Sequence, residues 1–163
     1  MKKFFKALSA LTMALCLTAT ALIPTGTASA RTNVIAQETI ALNDGGYCVV
    51  TTSETISDIA TIAKTHTKSG QKKYSYYNAN DVLCWTYTLH GTFKYDGTTL
   101  VSCTDSSHEI AIYKNSWSYS GGSHWESGNT AYGKATYHLK LSTASKTVNL
   151  QLSCSRSIEL GEE

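Results

Sequence analysis

Between Leu83 and Tyr95 the chain alternates without a break. Leu83, Trp85, Tyr87, Leu89, Gly91, Phe93 and Tyr95 occupy one phase, and Cys84, Thr86, Thr88, His90, Thr92 and Lys94 the other. Successive side chains leave a pleated strand on opposite sides, so this period of two predicts a long β-strand with one buried and one wet face. Asp96-Gly97 follows, a pair that tolerates the positive φ of a tight hairpin turn, and Leu100, Val101 and Cys103 begin a return strand. A second run repeats the pattern: Ala131, Gly133, Ala135, Tyr137, Leu139 and Leu141 on one face, Tyr132, Lys134, Thr136, His138 and Lys140 on the other.

The rest of the chain reads the same way. Residues 38–42, 47–52, 108–113 and 147–155 carry short strand patterns, with Ile110 and Ile112 expected inward, and Trp117-Ser118-Tyr119 alternates up to Gly121-Gly122. Residues 55–63 suit a strand or a loop. Residues 61–77 suit either a hairpin about Ser69-Gly70 or one long edge strand, whose Lys64, Lys68, Lys72 and Lys73 would discourage open pairing. Residues 123–129 are expected as a loop closing at Gly128-Asn129. Small inward residues at Gly91, Ala131, Gly133 and Ala135 leave room for bulky rings from the opposite layer. Seven to nine strands with frequent turn signals predict an all-β chain, an antiparallel β-sandwich of immunoglobulin-like or small-barrel form.

Residues 1–30 are set apart. Lys2, Lys3 and Lys6 precede an apolar run from Ala7 to Ile23, Pro24 breaks it, and Ala28-Ser29-Ala30 is a small-x-small cleavage pattern. This predicts a secretory signal peptide and a secreted product, with no membrane-spanning segment in the mature chain. Residues 31–37 are expected as a flexible lead-in, 38–157 as a single domain and 158–163 as an acidic tail. Three of the 14 Lys and Arg residues leave with the signal, so 11 basic groups face 12 acidic ones and the mature charge is −1. A near-neutral chain without basic runs argues against a nucleic-acid partner.

Four cysteines remain after residue 30: Cys48, Cys84, Cys103 and Cys154. An even number in an exported chain predicts disulfides. Cys103 shares the phase of Val101, and Cys154 that of Val148, Leu150 and Leu152, which favours a Cys103–Cys154 bridge closing a loop of about 50 residues and worth roughly 3–4 kcal/mol. Cys84 lies on the polar phase of its strand and is left to pair with Cys48.

The runs KSGQKKYSYYN from Lys68, WTYTLHGTFKYDG from Trp85 and a cysteine at 103, followed by Trp117, SGNTAYGKAT from Ser127 and TVNLQLSCS from Thr147, resemble a family of small secreted all-β proteins of Gram-positive bacteria. The match covers residues 61–155. It implies export, an all-β fold and the Cys103–Cys154 pairing. Cys48 and Cys84 depart from the family pattern, and the resemblance carries over no catalytic residue.

Catalytic chemistry finds little support. His66, His90, His108, His124 and His138 form no doublet at metal-ligand spacing, so no metal or other cofactor is expected. No G-x-S-x-G elbow accompanies the serines, and the local Ser123, His124 and Glu126 trio is too close in sequence to converge on one point. Asp105, Glu109 and Glu126 are the carboxylates available for a glycosidase pair. The functional feature is aromatic instead: Trp117, Tyr119, His124 and Trp125 surround a Gly-Gly pair, where rings can stack on sugar C–H faces while polar neighbours bond hydroxyls. The expectation is a non-enzymatic extracellular module binding a glycan or cell-surface component through these four residues. A bacteriocin-like or toxin-like effector and a small hydrolase are the alternatives.

Overall fold

The computed structural model describes residues 31–56, 65–96 and 99–154. All regular structure among them is β-strand, in eight antiparallel segments: β1 (Arg31–Ala41), β2 (Tyr47–Ile56), β3 (Thr65–Tyr77), β4 (Leu83–Asp96), β5 (Thr99–Ile112), β6 (Trp117–Ser127), β7 (Thr130–Leu139) and β8 (Ser145–Leu152). Each strand pairs with its neighbour in sequence, giving a five-stranded meander β1-β2-β3-β4-β5 and a three-stranded meander β6-β7-β8. The two sheets pack as a β-sandwich, and no helix among the described residues is long and apolar enough to cross a membrane.

The alternation along Leu83–Tyr95 sets the core. Trp85, Tyr87, Leu89, Phe93 and Tyr95 are all fully buried, and they meet Ala131, Ala135 and Tyr137 of β7 with Val148, Leu150 and Leu152 of β8. Large rings face small residues, so the layers interlock. A Cβ added at Gly133 would land on the Tyr87 hydroxyl and 3.0 Å from Leu89 Cδ1. Trp85 and Tyr137 stack at 3.9 Å between ring centroids and 9° between planes, and the Tyr137 hydroxyl donates to the Thr86 carbonyl at 2.9 Å. At the rim of this core Lys68 and Glu54 form a buried ion pair, and the Cys154 thiol lies against the Glu54 carboxylate.

Several expectations change. Residues 31–37 are not a loose lead-in but part of β1, because Arg31 to Val34 pair with Ile56 to Ser53 of β2. Residues 65–77 form one strand, yet not an edge: β3 lies between β2 and β4, and Gly70 sits in mid-strand opposite Gly91. Residues 104–107, between the return strand and the strand read at 108–113, are not a break, since β5 runs through them by way of irregularities opposite Thr92–Phe93 and Lys94–Tyr95. Ile110 and Ile112 pair with the core residues Tyr87 and Trp85, so their phase is inward, but both are exposed because β5 is the edge of its sheet. Leu141, expected inward, lies beyond β7 in a turn with φ of 60° and is fully exposed. Asp96, expected in the turn, is instead the last residue of β4 and pairs with Thr99; residues 97–98, 1–30 with the expected signal peptide, the 57–64 part of the ambiguous segment and the acidic tail lie outside the described residues.

Among the described residues no disulfide joins the cysteines. Cys48, Cys84, Cys103 and Cys154 are buried free thiols, so the expected Cys103–Cys154 and Cys48–Cys84 bridges are not formed here. The Cys103 and Cys84 thiols donate instead to the Asp105 and Val82 carbonyls, each at 3.4 Å. Cys84 is buried despite its polar phase: the β3–β4 register shifts opposite it, between Tyr76 and Tyr77, its side chain joins the core cluster, and its carbonyl accepts from the Tyr113 and Lys114 N–H groups.

Candidate functional site: an aromatic platform on the small sheet

The four aromatic-region residues expected together are divided by one glycine. In β6, Trp117 pairs with Leu139 and Tyr119 with Tyr137, but the register then slips so that Gly121 pairs with Thr136 and Gly122 with Ala135. Gly121 takes a φ of 136°, a conformation open to glycine, and forms a β-bulge. The extra residue inverts the side-chain phase. Before it, odd positions face the core: Trp117 is only 6% exposed and Tyr119 packs on Tyr137. After it, even positions face inward and odd positions outward, so His124 turns to the seam with β5 while Trp125 turns to solvent at 46% exposure. The 123–129 segment is therefore strand, with a turn only at Gly128-Asn129.

Trp125 does not stand alone. Its cross-strand partner is Tyr132 of β7, and the rings stack at 5.4 Å with planes 7° apart. Tyr132 pairs in turn with Gln151 of β8, and the next rank of the same face is Ser123, Lys134 and Asn149. Beyond that lie Thr136 and Thr147, whose hydroxyls bond each other at 3.1 Å. The outer face of the three-stranded sheet thus carries a two-ring platform flanked by amide and hydroxyl groups, with Lys134 in its middle rank and the Lys72 ammonium donating to the Gln151 carbonyl at 3.2 Å. A shallow recess of about 370 Å³, lined by Thr130, Gln151, Ser153 and Lys72 among others, adjoins the Tyr132 end. Tyr132, Gln151 and Asn149 were not singled out from the sequence, because only the register across β6-β7-β8 brings them beside Trp125.

The seam between the sheets is polar. His108 of β5 and His124 of β6 meet Nδ1 to Nδ1 at 2.7 Å, the Ser106 hydroxyl donates to the Glu126 carboxylate, and the Tyr87 hydroxyl donates to the Ser123 carbonyl at 3.3 Å. The bond from Ser106 holds the Glu126 carboxyl below its ordinary range, and burial, with the neighbouring His124, lowers His108. Burial pushes the Cys84 and Cys103 thiols up and takes Cys154 to about 12, so none is an activated nucleophile. Among the described residues no three His, Cys, Asp or Glu side chains converge as a metal site.

No family model, no curated protein and no solved structure matches the chain.

Proposed function

We propose that this protein is an extracellular, non-enzymatic binding module that holds a glycan on the Trp125–Tyr132 platform. The exposed Trp125 ring stacked on Tyr132 carries the reading. A solvent-facing indole costs hydration free energy in the unbound state, and a sugar ring removes that cost by laying its C–H face on the aromatic surface. Gln151, Asn149, Ser123 and Thr136 lie within a strand spacing or two of the rings, offering uncharged donors and acceptors to ring hydroxyls. Extracellular placement is part of the same proposal and rests on the signal-peptide pattern in the sequence of residues 1–30.

The test is co-sedimentation with insoluble chitin, cellulose and peptidoglycan particles, comparing the wild type with Trp125→Ala and Tyr132→Ala. Binding to at least one polymer, weakened at least about tenfold by Trp125→Ala, is expected. Trp125 is one of three tryptophans, and Trp85 and Trp117 are buried, so a blue shift of the emission on binding would report contact at this ring. Equal binding by the wild type and both variants, or no binding to any of the particles, would overturn the reading.

A further inference from the structure

Charge is segregated in the sheet that carries the aromatic platform. β6, β7 and β8 hold one carboxylate between them, Glu126, and the phase that follows the Gly121 bulge turns it to the seam, where Ser106 donates to it. The outward positions of the three strands are filled by hydroxyl, amide and aromatic side chains, with Gly121, Lys134 and His138 as the exceptions. Lys134 is exposed and stands one rank from Tyr132, two residues or about 7 Å along β7. No carboxylate among the described residues lies within ion-pair distance of its ammonium.

A second ammonium reaches the rank of the rings from the β8 side. Gln151 is the cross-strand partner of Tyr132, and its carbonyl accepts from Lys72 of β3 at 3.2 Å. Lys72 also lines the recess of about 370 Å³ beside that rank, with Thr52, Thr130 and Ser153 among the other lining residues. A backbone carbonyl is a neutral acceptor. A carboxylate or phosphate entering the recess takes a charge-assisted bond from the same ammonium, about twice as strong.

We infer that the glycan held by this face is acidic, with a sugar ring on Trp125 and Tyr132 and its carboxylate or phosphate groups on Lys72, in the recess, and on Lys134. The inference rests on the reading of the Trp125–Tyr132 platform and adds the charge of its ligand. Complementarity carries it: the fixed charges that reach this face are cations, in a chain whose mature charge is −1. Single-stranded nucleic acid also joins rings to anions, but it presents a phosphate at every nucleotide and is tracked by a run of cations. Two ammonium groups among hydroxyls and amides suit a polymer with sparser charge and many hydroxyls.

The experiment offers one backbone in three charge states. Cellulose, carboxymethyl cellulose and cellulose phosphate particles are tested at about 0.1 M salt, beside chitin and peptidoglycan, a neutral and an acidic polymer of related backbone. The wild type is expected to be retained at least about tenfold more strongly on an acidic polymer than on its neutral counterpart, and to lose that preference at about 1 M salt. A preference for either the carboxymethyl or the phosphate form supports the inference and identifies the anion. Lys134→Gln and Lys72→Gln should each lower acidic retention at least about threefold, and the double variant should reach the neutral level with retention on neutral particles unchanged. Lys134 is exposed, so Lys134→Gln serves alone if Lys72→Gln fails to fold. Equal retention on neutral and acidic polymers, or an acidic preference that survives in the double variant, would overturn the inference and leave the proposed function intact. A single-stranded oligonucleotide bound more tightly than every polysaccharide would overturn both, as would a wild type that no particle retains.

Discussion

The Nδ1 atoms of His108 and His124 are 2.7 Å apart, so one ring donates and the other accepts across the seam between the sheets. Two imidazolium rings would place N–H against N–H. The other groups facing the pair are the Tyr87 phenol on β4, Ser106 on β5 and the Glu126 carboxylate on β6. His108 titrates below its ordinary value of 6.5, from burial first and then from His124. The unfolded chain then binds more protons than the folded one, so this contribution is present above about pH 6.5 and is lost as pH falls through the folded value. The melting temperature should drop on acidification from about pH 7.5 to about pH 5.5, and His124→Gln should flatten that drop. An unchanged pH dependence in His124→Gln would rule the pair out as its source.

The Glu54–Lys68 ion pair is nearly sealed, with side-chain exposures of 5% and 12%. Removing one partner leaves the other charge buried at the rim of the core without its counter-charge. Lys68→Met and Glu54→Gln should each cost about 3–5 kcal/mol in urea unfolding, and the double variant distinctly less than their sum. Single variants within about 1 kcal/mol of the wild type would mean that water reaches the pair.

Tyr137 contributes a ring stacked on Trp85 and a hydroxyl bonded to the buried Thr86 carbonyl. Tyr137→Phe removes only the hydroxyl and should cost about 1–3 kcal/mol. Tyr137→Ala removes both and should cost about 3–5 kcal/mol. Equal losses from the two substitutions would show that the stack contributes nothing.

The buried thiols should be inert while the protein is folded. At pH 8 a thiol titrating near 12, as Cys154 does, is ionised in only about one molecule in 10⁴. Iodoacetamide should leave Cys84, Cys103 and Cys154 unmodified in native protein and label them all in urea, read by intact mass. An unreduced protein lighter by two hydrogens per cysteine pair would replace the free thiols with bridges.

Glycine 121 marks the boundary between what alternation reveals and what it hides. The core phase along Leu83–Tyr95 and Ala131–Leu139 was legible, because a buried strand face admits only apolar or small side chains at every second position; the wet phase expected at Cys84, Thr86 and Thr88 was not, since these residues of a central strand are buried as well. Through Gly121 the same counting fails. An inserted residue is invisible to periodicity, and carrying the phase across it puts Trp125 on the side of Trp117. The strand at residues 31–37 was hidden for a different reason: an edge strand with an exposed surface has no apolar rhythm, and only pairing with β2 orders it.

Composition and alternation alone determined the all-β class, the β4 core face and the small-residue face of β7, since these follow from local side-chain volume and polarity. Tertiary structure alone decided which residues share a surface. Trp125 meets Tyr132 and Gln151 through hydrogen-bonded register between strands, a long-range property set by bulges and packing. The aromatic residues were visible from the start. The face each one occupies was not, and that is what separates a core tryptophan from an exposed one.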